Sequence, residues 1–251
     1  MATNVNEPTR TIADLLRAEE QPVRRRLTRA MVEDETLALI DEAGLEAATM
    51  RAVAGRLGVT PRALYRHVAD KHDLLRGVAG RILSEVRLPS AALSWGARVE
   101  GIMAELRRVM INHPHAVPLF TRRVFSAPAA VVAITDSVVG ALTEAGIGGE
   151  AAVRIFYAMF NYTLGFVVLG ATDAADEAVA PNPFADVDPA AVPHALKVAD
   201  FLQRFADHGL HASDEQFRFG LSLLLNALDP VTAPNAGERG MRLTDHFGSI
   251  E

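Results

Sequence analysis

The chain has 251 residues, 49% hydrophobic and 22% charged, enough for the core of one large or two small soluble domains. It has no cysteine, which excludes a disulfide framework, a thiolate nucleophile and a cysteine metal site. The net charge of −6 argues against binding nucleic acid through bulk charge alone.

Residues 1–23 read as a polar, flexible N-terminal arm, without the basic start and apolar core of a secretory signal. Arg24, Arg25 and Arg26 follow, either as a solubilising run or as an arm that reaches phosphates or the minor groove. Thr28 is a good N-cap, and Met31, Leu37, Leu39 and Ile40 form the apolar series of a first helix ending near Gly44. Thr49 caps a second helix, with Val53, Ala54 and Leu57 as its inner stripe and Gly58 as its stop. Pro61 suits the first turn of a third, because its missing N–H has no intrahelical partner there.

Two short helices joined by a Gly-containing turn predict a helix-turn-helix. In that motif the second helix enters the major groove. Leu64 and Val68, four apart, anchor it inward and leave Thr60, Arg62, Ala63, Tyr65, Arg66 and His67 outside. Arginine can bond a guanine edge with two donors, while Tyr, Lys and His donate to phosphate oxygens. From Met50 to Lys71 five Lys/Arg face one acid, and from Arg81 onward 13 basic residues face 19 acidic ones. A small basic module is thus joined to an acidic body.

The body, 81–228, shows helical patterns over 81–87, 95–112, 116–122, 128–145, 150–170, 193–208 and 214–228. A surface loop is expected over 173–193 and a loose tail over 229–251. The longest apolar stretch, 158–171, falls short of the roughly 20 residues of a membrane span. A soluble cytoplasmic protein with no membrane partner is therefore expected.

The helices over 150–170 and 214–228 are apolar on more than one side, as in helices that are buried or paired with a second subunit. Met103, Met110, Phe120, Phe125, Phe156, Phe160 and Asn161 are candidates for lining a mostly apolar ligand cavity, or are plain core. Asn161 stands out because an amide in so apolar a helix needs partners. His113 and His115 stand two apart across a proline, a spacing that can chelate but is more often incidental. No metal site or cofactor is expected. With no Gly-rich phosphate loop, G-x-S-x-G elbow or H-E-x-x-H, neither is an enzyme.

The run TMRAVAGRLGVTPRALYRHVADKHDLL, preceded by DEAG, resembles the DNA-binding domain of the TetR family of transcriptional repressors over roughly 27–75. Downstream, Trp95 opening a helix, His113-Pro114, LTEAG at 142–146, NYTLG at 161–165 and FRFGLSLLLNAL at 217–228 resemble the ligand-binding domain of the tetracycline-repressor subgroup. The resemblance implies an all-α fold. An N-terminal three-helix helix-turn-helix DNA-binding domain, 24–80, would join a larger helical ligand-binding and dimerisation domain, 81–228. The two apolar helices would form a four-helix homodimer interface. The implied partners are a double-stranded DNA operator and a small-molecule effector.

The family's DNA contacts fall, by resemblance, on Thr49, Arg51, Thr60, Arg62, Ala63, Tyr65, His67 and Lys71. The position matching Arg51 reads a base, and those matching Tyr65 and Lys71 hold phosphates. Pro61 and Arg62 stand where the subgroup has glutamine and proline, and Arg66 replaces a tryptophan, so a different operator is expected. The subgroup's drug-bound magnesium is held near a His and a Glu whose places are taken by Pro118 and Leu169, and neither can ligate. A largely apolar, metal-free effector is expected to release the repressor. The rival is a helical small-molecule binding protein whose DNA-binding domain is vestigial.

Overall fold

The chain's computed structural model describes residues 26–121, 129–175, 194, 197–198, 201 and 213–228, with 172–175 as backbone only. The arm 1–23, Arg24, Arg25, Phe125, most of the helix expected over 193–208 and the 229–251 tail lie outside the described residues. Among the described residues there is no strand.

Local capping sets the first helices. Thr28 Oγ1 accepts the Met31 N–H at 3.2 Å and starts α1, Arg29–Ala43. Thr49 Oγ1 accepts the Ala52 N–H at 3.1 Å and starts α2, Met50–Arg56. At its end the Gly58 N–H bonds Gly55 O and the Val59 N–H bonds Ala54 O, a Schellman pair. It needs a left-handed residue, which Gly58 supplies at φ 65°. Pro61 opens α3, Pro61–Leu64.

α3 is a single turn, shorter than the sequence pattern suggests. The Arg66 N–H bonds Ala63 O and the His67 N–H bonds Leu64 O, so the chain tightens into a turn through 65–67. Leu64 and Val68 are both buried and pin this turn to the core.

The next helix corrects the expectation of one over 81–87. α4 runs Lys71–Leu83, so Lys71 opens a new helix instead of trailing the recognition helix. Asp70 Oδ1 caps it by accepting the Asp73 N–H at 2.7 Å. Leu74, Leu75, Val78, Ala79, Ile82 and Leu83 are buried along it. It packs along α1, to which Asp73 and Arg81 both pair, and also contacts helices of the body.

The body comprises α5, Trp95–Asn112, α6, Pro118–Thr121, α7, Ala129–Glu144, α8, Gly149–Ala175, and α9, Asp214–Asn226. Where one helix was expected over 116–122, a 3-10 turn at Pro114–Ala116 precedes α6, because Pro118 has no N–H to continue a helix. α8 extends into the expected loop, to Ala175. It also corrects the membrane argument: 23 of its residues, Gly149–Ala171, are apolar enough to cross a bilayer by length and composition. Its inner face, however, is protein core. Ala152, Phe156, Met159, Phe160, Thr163, Phe166 and Val167 are buried where α8 meets α5, α7 and α9.

Arg107 of α5 ties α9 to this core. It pairs with Asp214 at the start of α9, and its guanidinium lies over the rings of Phe166 and Phe217 at 5.6 and 5.1 Å. The Tyr162 hydroxyl donates to Phe217 O at 3.0 Å, and burial pushes its pKa up.

Candidate DNA interface and effector cavity

The helix-turn-helix presents two kinds of cation. Arg51, Arg62 and Arg66 are exposed and Lys71 is half-buried; none makes an ion pair among the described residues. Thr49, Thr60 and Tyr65 are exposed beside them, Tyr65 at 53%, whereas Ala63 and His67 are half-buried. Thr60 holds the N-cap position of α3, yet its hydroxyl makes no capping bond. The unpaired cations therefore lie along α2, α3, the turn after it and the start of α4, near one another in sequence, with the exposed Thr60 and Tyr65 hydroxyls beside them.

The second kind is structural. Arg56, which sequence counting includes in the basic cluster, donates to Glu35 and Glu42 of α1 and holds the Glu42 carboxyl below its ordinary range. Arg29 donates to both Asp73 carboxylate oxygens at 3.0 Å and to His67 O at 3.3 Å. Asp73 also accepts the Ala69 N–H at 2.9 Å and Arg76 at 3.0 Å. The Arg29 hydrogen bonds, then the Ala69 N–H, keep the Asp73 carboxyl well below the usual carboxylate range. Arg29 and Asp73 thus clamp the end of the recognition turn to α1 and α4. Sequence reasoning missed both, although Asp70-x-x-Asp73 carries the spacing of a helix cap.

The two histidines do not converge on a shared site. His113 Nδ1 lies 2.9 Å from Asp41 Oδ2, and His115 Nδ1 lies 2.9 Å from Asp41 O, so both tie the end of α5 to α1. Among the described residues no three His, Asp or Glu side chains are grouped to hold a metal ion.

A cavity of about 540 Å³ lies between α7 and α8, closed at the back by Leu106 of α5 and Leu83 of α4. That size suits a small organic ligand. α7 contributes Val131, Val132, Ile134, Thr135, Asp136 and Val139, and α8 contributes Val153, Phe156, Tyr157 and Phe160. Of the sequence candidates, Phe156 and Phe160 are in its wall. Met103, Met110 and Phe120 are buried core side chains outside that lining. Asn161 is exposed, which corrects the argument that its amide is buried and needs protein partners. Pro118 and Leu169, also exposed, are not in the wall either. The α7 residues were missed because their spacing marks an apolar face without saying whether it meets a neighbour or a gap.

Residues 88–231 match the family model for "Tetracyclin repressor-like, C-terminal domain", and residues 34–78 match "Bacterial regulatory proteins, tetR family". The chain belongs to the TetR family. It is a helix-turn-helix transcriptional regulator, as its all-α fold and N-terminal motif indicate. A Saccharopolyspora erythraea protein named "HTH-type transcriptional regulator" is 35% identical over 142 residues, 56% of this chain and 60% of that relative's length. A Streptomyces coelicolor structure of a possible TetR family regulator is 27% identical, with TM-score 0.65 over 81% of this chain and 99% of its own. The Streptomyces coelicolor TetR family protein ActR, solved with actinorhodin, is 22% identical, with TM-score 0.71 over 84% of this chain and 99% of its own, and is similar in fold.

Proposed function

We propose that this TetR-family regulator binds a palindromic operator as a homodimer in the cytoplasm and is released by a small molecule entering the α7–α8 cavity. The observation that carries the reading is α4. Lys71 and the clamped Asp73 lie at one end of it, and Leu83, in the cavity wall, lies at the other. Its 13 residues make a rod about 20 Å long, so a ligand that displaces Leu83 tilts the mounting of the recognition turn.

Arg51 and Arg62 are assigned to base edges, Tyr65 and Lys71 to phosphates, with Thr49, Thr60, Arg66 and His67 as further polar contacts and Ala63 as an apolar one. The second half-site requires a second copy. α8 exposes Leu169 outside the cavity wall, and α9 exposes Phe219 and Leu223, which together supply apolar surface for a two-fold partner. Asn161 is an exposed residue of α8.

A ligand shifts such a regulator only by binding the released form more tightly, so operator DNA must weaken ligand binding by the same factor. The test is to select fragments from random DNA with the purified chain and to measure the half-site spacing. Half-sites about one helical turn, 34–36 Å, apart are expected. Selection of no specific sequence would favour the rival of a vestigial DNA-binding domain.

A further inference from the structure

We infer that the cavity selects hydrophobic organic cations, with Asp136 meeting the positive charge at its mouth; this rests on reading the cavity as the effector site. The wall is built from two facing stripes with identical spacing. Val132, Thr135, Asp136 and Val139 form one on α7, and Val153, Phe156, Tyr157 and Phe160 form the other on α8. Steps of three and four residues keep each set on one face of its helix.

The short connection at 145–148 makes α7 and α8 an antiparallel hairpin, so residues equally far from it come level. Asp136 lies eight residues before the end of α7 and Tyr157 eight after the start of α8. The carboxylate is therefore level with an aromatic row in which Phe156 meets Tyr157 edge-on and stacks on Phe160, with centroids 5.4 and 6.1 Å apart.

Asp136 is the one charged side chain among the described residues lining the cavity. It makes no hydrogen bond or ion pair among the described residues. Arg154, on the adjoining turn of α8, is engaged by Glu150 at 2.6 Å. A carboxylate and aromatic faces together attract a cation that carries apolar bulk, by charge and by the ring quadrupole. An anionic ligand of the same shape meets the carboxylate without a compensating cation among the described residues of the wall. The remaining polar groups in the wall, the Thr135 and Tyr157 hydroxyls, suit either a neutral or a cationic ligand.

The probes are two fluorescent rods of one shape, neutral diphenylhexatriene and its trimethylammonium derivative, titrated into the full chain and into Asp136→Asn at low salt. Asp136 is exposed, so the variant keeps the fold, and its binding of the neutral rod serves as the control. Wild type is expected to bind the cationic rod about tenfold more tightly than Asp136→Asn does, and to lose most of that advantage at high salt. The neutral rod is expected to bind both proteins alike. Equal binding of the cationic rod by the two proteins, with the neutral rod still bound, would overturn the inference alone. If neither rod binds wild type, the cavity reading falls and takes the inference with it.

Discussion

The two ends of α4 are held by different balances of directional charge and apolar contact. At Asp73 the helix is fixed by directional charge: two guanidinium groups, one backbone N–H and a near-complete set of acceptor contacts. At the other end Leu83 is packed by apolar contact beside an open cavity, and one exposed ion pair, Arg81 to Asp34 at 2.6 Å, is the charged tie of that turn among the described residues. Charge-assisted hydrogen bonds fix angles, whereas apolar contacts tolerate sliding and repacking. The comparison teaches where each task can be done. The recognition turn keeps its shape at the stiff end, and on the proposed reading a ligand acts at the end that can yield.

The strongest way to break this picture is to leave α4 intact and remove the second half-site. Leu223 is 55% exposed on α9, while Leu224 is half-buried against the chain's own core, so Leu223→Glu isolates the partner face. The variant should sediment as a monomer and lose operator binding with it, because the charge is desolvated only in the dimer. Operator binding retained by a monomer would separate the two properties.

Next in size is the rod between the two ends. Ile82 is fully buried, and Ile82→Ala should cost about 2–5 kcal/mol in chemical denaturation. A smaller cost would mean that the helix is loosely seated at the cavity end.

The clamp itself comes third. Asp73→Asn should cost about 1–3 kcal/mol by removing charge-assisted bonds to Arg29 and Arg76. Because the folded pKa of Asp73 is depressed, its contribution is fully present above the unfolded value, about 4, and is lost as the pH falls through the lower folded value. Denaturation midpoints of the two proteins should therefore converge as the pH drops below about 4. A gap that stays constant into acid would rule out the carboxylate as the source.

The smallest effects belong to the unpaired cations, which hold up no part of the fold. Arg62→Ala should relax selection at one or two operator positions for about 1–3 kcal/mol of binding. Lys71→Ala should weaken all sequences alike and lower the salt slope by about one unit. Neither should move the thermal midpoint appreciably, in contrast to Asp73→Asn. A stability loss from Arg62→Ala would move that residue from the DNA-facing set to the structural one.

Much of the fold was legible because its signals are local. Thr28, Thr49, Gly58 and Pro61 each act within about five residues, through a cap, a left-handed turn or a missing N–H, and the structure uses each as its residue chemistry predicts. α4 was misread from the same stretch. A helical pattern was read only from residue 81, because the Asp70 cap was overlooked. In the C-terminal domain the type of element was clear but the direction of its side chains was not. Phe156 and Met103 look alike in sequence, and one faces a cavity while the other is closed in on all sides.

From sequence alone came an all-α chain, a basic helix-turn-helix on an acidic body, and the side chains of Thr60, Arg62, Tyr65 and Arg66 as its outward chemistry. Periodicity, capping and charge are carried by neighbours along the chain, so they can be read without coordinates. Tertiary structure alone decided that Arg56 serves α1 and not an outside partner, that Arg29 reaches across 44 residues to Asp73, that Asn161 faces outward, and that Asp136 shares a cavity with Phe156. Each depends on which faces meet when helices distant in sequence pack, and a hydrophobic pattern specifies that a face is covered without specifying by what.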